Sequence, residues 1–316
     1  MISKIVSGIT PSATCELEGL IGSMKRSGID VVALNIGEPD FKTPENICAA
    51  CKDALDARKT TYVATAGIPE LCQAICRKLQ RDNGLTYAPE QICVSTGAKQ
   101  ALFNAVMAVT NPGDEVIIPI PGWVSYVEMV KLVGGVPVCV PCKSDYQLDV
   151  DAIRAAVTEK TSAIIINSPN NPTGAVYRQE SLQIIADLAV EKDLYVIADE
   201  IYEKLLYGDC RHVSIASLSP DIYQRTIVIN GMSKAYRMTG WRIGYSAAPA
   251  DIAKGISSLQ GHITSNSTTF VQWSAIEALE NGEADVQDMV AQFVQRRDYA
   301  YESAVNLPHV TCTKPD

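Results

Sequence analysis

Short apolar segments rich in β-branched residues alternate with longer amphipathic stretches along most of the chain. The longer stretches have helical periodicity and predict helices over residues 44–57, 69–81, 98–109 and 179–191. The short segments predict strands over residues 31–35, 91–95, 115–119, 136–140, 162–167, 194–198, 226–230 and 242–247. This alternation predicts an α/β fold with a mostly parallel central sheet flanked by helices. Because residues 163–166 and 195–198 are almost entirely apolar, we expect their strands at the centre of the sheet, buried on both faces.

Local signals predict some of the helix ends. Thr43 before Pro44 is a favourable pair for an N-cap and a first helical position, and Asn83-Gly84 is a typical helix stop. Residues 285–306 have one long polar helical pattern, and residues 308–313 follow as a single strand candidate. A final strand with nothing to pair or cover it is a folding liability. We therefore expect the sequence to be a fragment of a longer gene product.

The composition is that of an ordinary globular protein, with 47% apolar and 20% charged residues in a chain of 316. The formal net charge of -9 argues against a general nucleic-acid surface, because phosphate backbones are bound by basic stripes. No apolar run approaches the length that spans a bilayer, and the first ten residues lack the pattern of a signal peptide. We therefore expect a cytoplasmic protein with neither nucleic acid nor a membrane as a partner.

The ten cysteines are scattered along the chain, which is typical of reduced thiols rather than of a disulfide framework. Two C-x-x-C pairs occur, at positions 48/51 and 139/142, but a C-x-x-C pair alone is a weak signal for a metal or redox site. The three histidines, His212, His262 and His309, lie far along the chain from both pairs. No metal site is therefore expected.

Polar residues that directly follow the predicted strands are the first candidates for a binding site, because ligands of open α/β sheets lie at the carboxyl ends of the strands. Residues 95–99, Ser-Thr-Gly-Ala-Lys, end a strand and begin a helix, so their free N–H groups could bind a phosphate. A plain tight turn that uses Gly97 to relieve backbone strain explains the same residues. Residues 167–174, Asn-Ser-Pro-Asn-Asn-Pro-Thr-Gly, form a stiff turn that would direct asparagine amides across the sheet edge.

Two further strand ends carry ionisable side chains. Asp199 follows the strand 194–198, although an aspartate at such a position is also a common N-cap of the next helix. Ser233 and Lys234 follow the strand 226–230, and Arg242 comes eight positions after the lysine. A lysine at a strand end is usually solvated, but here an amine and a phosphate-binding guanidinium could face one ligand.

These motifs occur in the order and at the spacing found in the class I/II aminotransferases of pyridoxal 5'-phosphate (PLP) fold type I. Within that family the chain most resembles the bacterial aspartate aminotransferases. The resemblance also covers Pro11-Ser12-Ala13-Thr14, the segment 35–40 (Asn-Ile-Gly-Glu-Pro-Asp) and Thr61-Tyr62, so it runs almost end to end. It implies an N-terminal arm and part of a small domain over 1–40, a large PLP-binding domain over 41–283, and a connecting helix with the start of an incomplete C-terminal small domain over 284–316.

The resemblance implies that PLP is the cofactor and that Lys234 both holds it as a Schiff base and acts as the general base. Asp199 would bind the pyridine nitrogen, and a charge-assisted hydrogen bond there keeps the ring protonated. Tyr202 and Asn171 would hold the phenolic oxygen, and Trp123 would stack on the ring. The phosphate would lie among Gly97, Ala98, Lys99, Ser233, Arg242 and, from a second subunit of a homodimer, Tyr62.

The resemblance also implies the substrates, an amino acid and a 2-oxo acid. Gly37, Trp123 and Asn171 would contact the substrate, and Lys99 would bind the distal carboxylate of a dicarboxylic amino acid. This favours the transfer of an amino group between L-aspartate and 2-oxoglutarate. A solvated first-turn lysine is the alternative for Lys99, although a cation is unfavourable at a helix N-terminus unless an anion is nearby.

Other functions stay open at this point. Family members continue past the position of Asp316 and carry there an arginine that binds the substrate α-carboxylate, and no residue of this sequence matches it. Loss of such a bidentate pair costs about 2–5 kcal/mol, so a catalytically weak PLP-binding module is one alternative. An aromatic or diaminopimelate-type aminotransferase and a β-lyase are others. A dehydrogenase and a serine hydrolase are disfavoured, because the chain lacks G-x-G-x-x-G after its early strands and lacks the second glycine of a nucleophile elbow.

Overall fold

One seven-stranded sheet organises the computed structural model, which describes residues 2–10 and 13–316. Its strands, in chain order, are β1 (Ile92–Ser95), β2 (Glu115–Ile120), β3 (Val136–Pro141), β4 (Thr161–Asn167), β5 (Tyr195–Asp199), β6 (Thr226–Gly231) and β7 (Gly244–Ala247). The spatial order is β1-β7-β6-β5-β4-β2-β3. All neighbours pair in parallel except β7, which runs antiparallel to both β1 and β6.

The helices cover the sheet and extend from one of its edges. Within the described residues they are α1 (Lys4–Ser7), α2 (Ala13–Arg26), α3 (Glu45–Asp56), α4 (Pro69–Asn83), α5 (Ala98–Val109), α6 (Ser125–Leu132), α7 (Val150–Ala156), α8 (Gln179–Glu191), α9 (Pro220–Tyr223), α10 (Ala250–Ile263), α11 (Thr269–Asn281) and α12 (Glu283–Val305). Among these helices, none is both long and apolar enough to cross a bilayer.

Alternate residues of the central strands face the two covering layers. Ile165 packs in the cluster that includes residues of α5, α6 and α10, whereas Ile164 and Ile166 pack in the cluster built from α7 and α8. This is the twofold alternation that a strand imposes on its side chains. Because both faces of β4 and β5 are covered, the predicted α/β fold and its two buried central strands are confirmed.

Strand register brings the polar residues at the strand ends to one edge of the sheet. Asn167 at the end of β4 lies opposite Asp199 at the end of β5, and Asp199 lies opposite Ile229 of β6. Because β7 is reversed, its first residue, Gly244, lies opposite both Ser95 of β1 and Gly231 of β6. The segment just before β7 therefore meets the segments just after β1 and β6.

Two predicted strands do not form. Residues 31–35 are irregular, and Val32 and Leu34 are 84% and 91% exposed. Residues 308–313 are irregular as well, and the final residue binds elsewhere: the N–H of Asp316 donates to Gly174 O at 3.2 Å. Both segments have a strand-like pattern, but neither lies beside a strand whose N–H and C=O groups it could pair with.

The structure also corrects two local boundaries. Pro44 rather than Thr43 occupies the N-cap position of α3, and the Thr43 hydroxyl donates instead to Arg237 O at 2.6 Å. The strand predicted over 242–247 begins at Gly244, because Arg242 has a left-handed backbone with φ 55°. The predicted helix stop at Gly84 is confirmed, since Gly84 caps α4 with φ 68°.

Candidate active site

A cavity of about 530 Å³ lies at the edge where the strand ends meet. It gathers residues that are distant in the sequence, from the N-terminal segment 35–38, from α5, from the segment before α6, and from the ends of β4, β5 and β6. Ten of the predicted site residues line it: Gly37, Ala98, Lys99, Trp123, Asn171, Asp199, Tyr202, Ser233, Lys234 and Arg242. Two amines (Lys99 and Lys234), two carboxyl groups (Glu38 and Asp199) and the Arg242 guanidinium line this single cavity. Such an arrangement can bind a ligand that carries both a basic and an anionic group.

Asp199 is a buried carboxylate, 3% exposed, at the end of β5. Its Oδ2 accepts a hydrogen bond from the Tyr126 hydroxyl at 2.7 Å, and its Oδ1 accepts one from the Ile201 N–H at 3.2 Å. Burial raises the pKa of Asp199 to about 6, and these two hydrogen bonds oppose the rise. The carboxylate is therefore mostly ionised at neutral pH and can pair with a cationic group of a ligand.

Lys234 is half-buried and points into the same cavity. Its ammonium donates to Gly37 O at 2.7 Å. Burial lowers the pKa of Lys234, and the nearby Arg242 lowers it further, while Glu38 and Asp199 act in the opposite direction. An amine with a lowered pKa is a better nucleophile and base near neutral pH than an ordinary surface lysine.

Tyr202 and Asn171 meet at the wall of the cavity near Lys234. The Asn171 side-chain amide donates to the Tyr202 hydroxyl at 3.4 Å, and the Asn171 N–H donates to Asn167 Oδ1 at 2.7 Å. The second bond ties the turn after β4 to the strand end, as the stiff Asn- and Pro-rich sequence predicts. Burial raises the pKa of Tyr202 to about 12, so the hydroxyl stays protonated and can donate to a ligand oxygen.

Gly97 and Arg242 pack closely at the start of α5, where their groups could bind an anion. The backbone of Gly97 has φ 82°, and a Cβ at this position would lie 2.4 Å from Nη2 of Arg242. A Cβ at Gly244 would lie 2.3 Å from the Ala98 N. The N–H groups of Ala98 and Lys99, in the first turn of α5, have no acceptor within the helix, and the buried Ser233 lines the same cavity. Glycine at 97 and 244 is what allows these groups to approach one another.

Trp123 stands between the charged groups and α6. Lys99 Nζ lies 4.9 Å from the centroid of the Trp123 ring, and Trp123 lies edge-to-face with Tyr126 at a centroid separation of 5.4 Å. Trp123 can therefore present its other face to a flat ligand, while Lys99 is exposed at the mouth of the cavity.

Two predicted site residues do not line this cavity. Gly97 packs directly against the Arg242 guanidinium, which does line it. Tyr62 is 89% exposed and lines a separate groove with Asn266 and Thr269. Of the N-terminal motif, Pro11 and Ser12 lie outside the described residues.

Several residues at or beside the cavity were not given a role from the sequence. Tyr126 donates to the catalytic candidate Asp199, and Glu38 accepts a hydrogen bond from Thr239. Asn167, in the predicted turn, donates to Asp199 O at 3.0 Å. Tyr126 follows Trp123 by three positions, close to the start of α6. That spacing is the one signal in the sequence that could have placed it beside the tryptophan.

A second cluster of ionisable side chains lies directly behind Asp199. Within the described part of the chain, Glu200, Glu203 and His212 bring possible metal-ligand atoms within 4.8 Å of one another. However, the Lys78 ammonium is hydrogen-bonded to Glu203, and His212 Nε2 lies 3.2 Å from Glu200 Oε2. The Lys78 ammonium thus already neutralises one carboxylate of this cluster. The expectation of no metal site stays a prediction.

Comparisons with known proteins add independent information. Residues 29–316 match the family of class I and II aminotransferases. The chain is 46% identical over 317 residues to an aspartate aminotransferase of Bacillus sp. (strain YM-2), covering 100% of this chain and 81% of the relative. It is 46% identical over 319 residues to a probable aspartate/prephenate aminotransferase of Aquifex aeolicus, again covering 100% of this chain and 81% of the relative.

Solved structures show the same similarity. The fold matches an aspartate aminotransferase from Thermus thermophilus with maleate at a TM-score of 0.94 and 43% identity, covering 100% of this chain and 83% of that one. It matches the aspartate aminotransferase from Rhizobium meliloti at a TM-score of 0.96 and 37% identity, covering 100% of this chain and 80% of that one.

Proposed function

Because the chain belongs to the class I and II aminotransferases, we propose that it is a PLP-dependent enzyme that transfers the amino group between L-aspartate, or a similar dicarboxylic amino acid, and 2-oxoglutarate. The observation that carries the proposal is the convergence of Lys234, Asp199 and Arg242 on one cavity. The Lys234 amine can react with the aldehyde of PLP, the Asp199 carboxylate can pair with its protonated ring nitrogen, and the Arg242 guanidinium can bind its phosphate. When bound, PLP supplies an aldehyde that joins amines and a ring that withdraws electrons from the substrate α-carbon.

The side chains fit each part of this cofactor. The anion pocket at Gly97 and Arg242, which a Cβ would fill, suits a phosphate, together with Ser233 and the first-turn N–H groups of Ala98 and Lys99. The buried Asp199 suits a protonated ring nitrogen. Trp123 suits the ring face.

Lys234 would have two roles in the reaction, as the amine that bonds to the cofactor and as the general base. Its amine is the group that would bond to the cofactor, and once released it would take a proton from the α-carbon of the substrate at Nζ. The lowered pKa of Lys234 favours the neutral form that both roles require. The hydrogen bond from Nζ to Gly37 O, 2.7 Å long, would hold the amine at the mouth of the site before the substrate enters.

Tyr202 and Asn171 would bind the phenolic oxygen of the cofactor. With a pKa raised to about 12, Tyr202 donates its proton in a hydrogen bond rather than losing it. The Asn171 amide, already 3.4 Å from the Tyr202 hydroxyl, would supply a second donor. Two donors at one oxygen stabilise negative charge there.

Lys99 supports a dicarboxylic substrate. Its exposed ammonium stands at the first turn of α5, 4.9 Å from the Trp123 ring, where a carboxylate entering over the tryptophan would reach it. Gly37, Trp123 and Asn171 would contact the rest of the substrate. The relatives are named for aspartate, some of them for prephenate as well, and the Thermus thermophilus structure contains maleate, a dicarboxylate.

The proposal extends to a homodimer with shared sites. Tyr62 is 89% exposed and lies outside the cavity of its own chain, so its hydroxyl is free to complete the phosphate site of a second copy. The cytoplasmic location and the division at residues 40 and 283 stay predictions.

Borohydride reduction of the protein with PLP tests the central claim. We expect covalent fixation of the cofactor on Lys234, no fixation in Lys234→Ala, and normal fixation in Lys254→Ala, which removes an exposed lysine of α10. Addition of L-aspartate alone should convert the bound PLP to its amine form and release oxaloacetate. Fixation at a different lysine, or none at all, would refute the assignment. Release of pyruvate and ammonia from an amino acid with a leaving group on its β-carbon, such as an S-alkylcysteine, without conversion of L-aspartate to oxaloacetate, would indicate a β-lyase instead.

A further inference from the structure

Tyr126 is the residue that joins the two sides of the cofactor site. It is 2% exposed, near the start of α6. Its hydroxyl donates to Asp199 Oδ2 at 2.7 Å, and its ring lies 5.4 Å from the Trp123 ring at an interplanar angle of 87°. Tyr126 therefore contacts both the carboxylate expected at the ring nitrogen and the aromatic ring expected at the ring face.

The oxygen atoms of Asp199 have few donors. Oδ1 accepts from the Ile201 N–H at 3.2 Å, and the bond from Tyr126 is the side-chain hydrogen bond to Oδ2. A carboxylate can accept about four hydrogen bonds, so both oxygens keep capacity toward the cavity. Because Asp199 is buried, solvent is a poor replacement for a lost donor.

We propose that Tyr126 is a positioning residue for the cofactor: its hydroxyl fixes and keeps ionised the Asp199 carboxylate, and its ring edge holds Trp123 in place. This inference rests on the proposed function, in which Asp199 pairs with the pyridine nitrogen. Tyr126 itself does not contact the cofactor. Its effect is on the strength of the pairing at the ring nitrogen.

A purely structural role for Tyr126 would depend on its ring rather than on its hydroxyl, so the two roles can be separated by a substitution. Tyr126 packs with Met129 and Val130 in the apolar cluster beneath α6, and this packing depends on the ring. Tyr126→Phe keeps the ring and removes the hydroxyl alone. Loss of the hydroxyl leaves Asp199 Oδ2 without a donor in a buried place, which favours protonation of the carboxyl group and weakens its hold on a cationic ring nitrogen.

The matched control is Tyr87→Phe. Tyr87 is also buried, and its hydroxyl has no hydrogen-bond partner among the described residues. It lies outside the cavity and stacks on Tyr223. This control measures the effect of removing one buried tyrosine hydroxyl anywhere in the core.

The probe is 4'-deoxypyridoxine 5'-phosphate, which has the ring nitrogen and the phosphate of PLP but no aldehyde, so its binding does not require Lys234. Its affinity for the cofactor-free full chain is measured by tryptophan fluorescence from pH 5.5 to 8.5, with inorganic phosphate as a competitor. For Tyr126→Phe we expect an affinity about 10- to 100-fold lower at pH 7. We also expect the loss of binding on acidification to begin about one pH unit higher, with unchanged affinity for inorganic phosphate.

Three results would overturn the inference: unchanged binding of the probe by Tyr126→Phe, an equal loss in Tyr87→Phe, or a parallel loss of inorganic phosphate, which would indicate general loosening of the site. Borohydride fixation on Lys234 in the parent protein separates the two claims. If fixation fails, the proposed function fails; if fixation succeeds and Tyr126→Phe binds the probe normally, only the role of Tyr126 fails.

Discussion

Gly97→Ala tests the anion pocket by adding one methyl group. Gly97 has φ 82° and ψ 160°, a region that residues with a Cβ rarely adopt, and forcing one into it costs about 1–3 kcal/mol. The new Cβ would also lie 2.4 Å from Nη2 and 2.9 Å from Cζ of Arg242. The guanidinium is the far end of a flexible side chain, so it would move away and release its 2.8 Å hydrogen bond to Thr239 O.

The displaced guanidinium would no longer contact the phosphate. A hydrogen bond to a charged group contributes about 1.5–3 kcal/mol, so we expect the affinity for PLP to fall about 10- to 150-fold. The free energy of unfolding of the cofactor-free chain should fall by about 1–3 kcal/mol in the same variant. Urea denaturation measures the second quantity, and fluorescence titration with PLP measures the first.

Gly84→Ala is the matched control, because Gly84 also has a positive φ, 68°, but a Cβ there meets nothing within 4 Å. It should lower the free energy of unfolding by about 1–2 kcal/mol and leave the affinity for PLP unchanged. Parent-like affinity of Gly97→Ala for PLP, or an equal loss of affinity in Gly84→Ala, would show that Gly97 and Arg242 do not form the phosphate pocket.

Three further variants test other groups of the site. In Asp199→Asn the cofactor-free chain should gain up to ~3 kcal/mol of stability at pH 7.5, because the parent must keep ionised a carboxyl group whose pKa burial has raised from 3.8 to about 6. The gain should vanish as the pH falls through 6 toward 3.8, and urea denaturation at pH 7.5 and 4.5 checks this. Lys99→Gln should lower kcat/KM for L-aspartate by about 30-fold or more and change kcat/KM for L-alanine little; equal losses would contradict a contact with the distal carboxylate. Burial lowers the pKa of His212, but Glu200 and Glu203 outweigh it and raise that pKa above 6.5. The stability from His212 ionisation is therefore full below pH 6.5 and lost as the pH rises through the raised pKa, so His212→Asn should flatten the melting temperature across this range; an unchanged pH profile would contradict the coupling.

Local patterns were sufficient to predict most strands and helices, because the spacing of apolar residues within one segment reflects which of its side chains are buried. The predicted helices at 98–109 and 179–191 agree with α5 and α8 at both ends. The pattern over 31–35 failed because alternation indicates that a segment could pair, not that a partner is present. The reversed direction of β7 depends on pairing with β1, about 150 residues earlier in the chain, and no local signal encodes it.

The site was predictable to the extent that its residues follow strands. Asp199 and Lys234 were found in this way and through the family resemblance, and both line the cavity. Tyr126 was missed because it lies in a helix, and its partner Asp199 is 73 residues further along the chain. Tyr62 lies outside the cavity of its own chain, so a site shared between two subunits stays a prediction.

The reversed strand β7 has a consequence for how the molecule matures. Arg242 reaches the phosphate pocket only after β7 has inserted between β1 and β6, a pairing with long sequence separation that is slow to form because of its loop-closure entropy. A chain that has collapsed without this insertion has Lys234 and Asp199 but lacks the Arg242 guanidinium at the phosphate pocket. Capture of the coenzyme by newly synthesised chains would therefore report that β7 has inserted and that the sheet is complete.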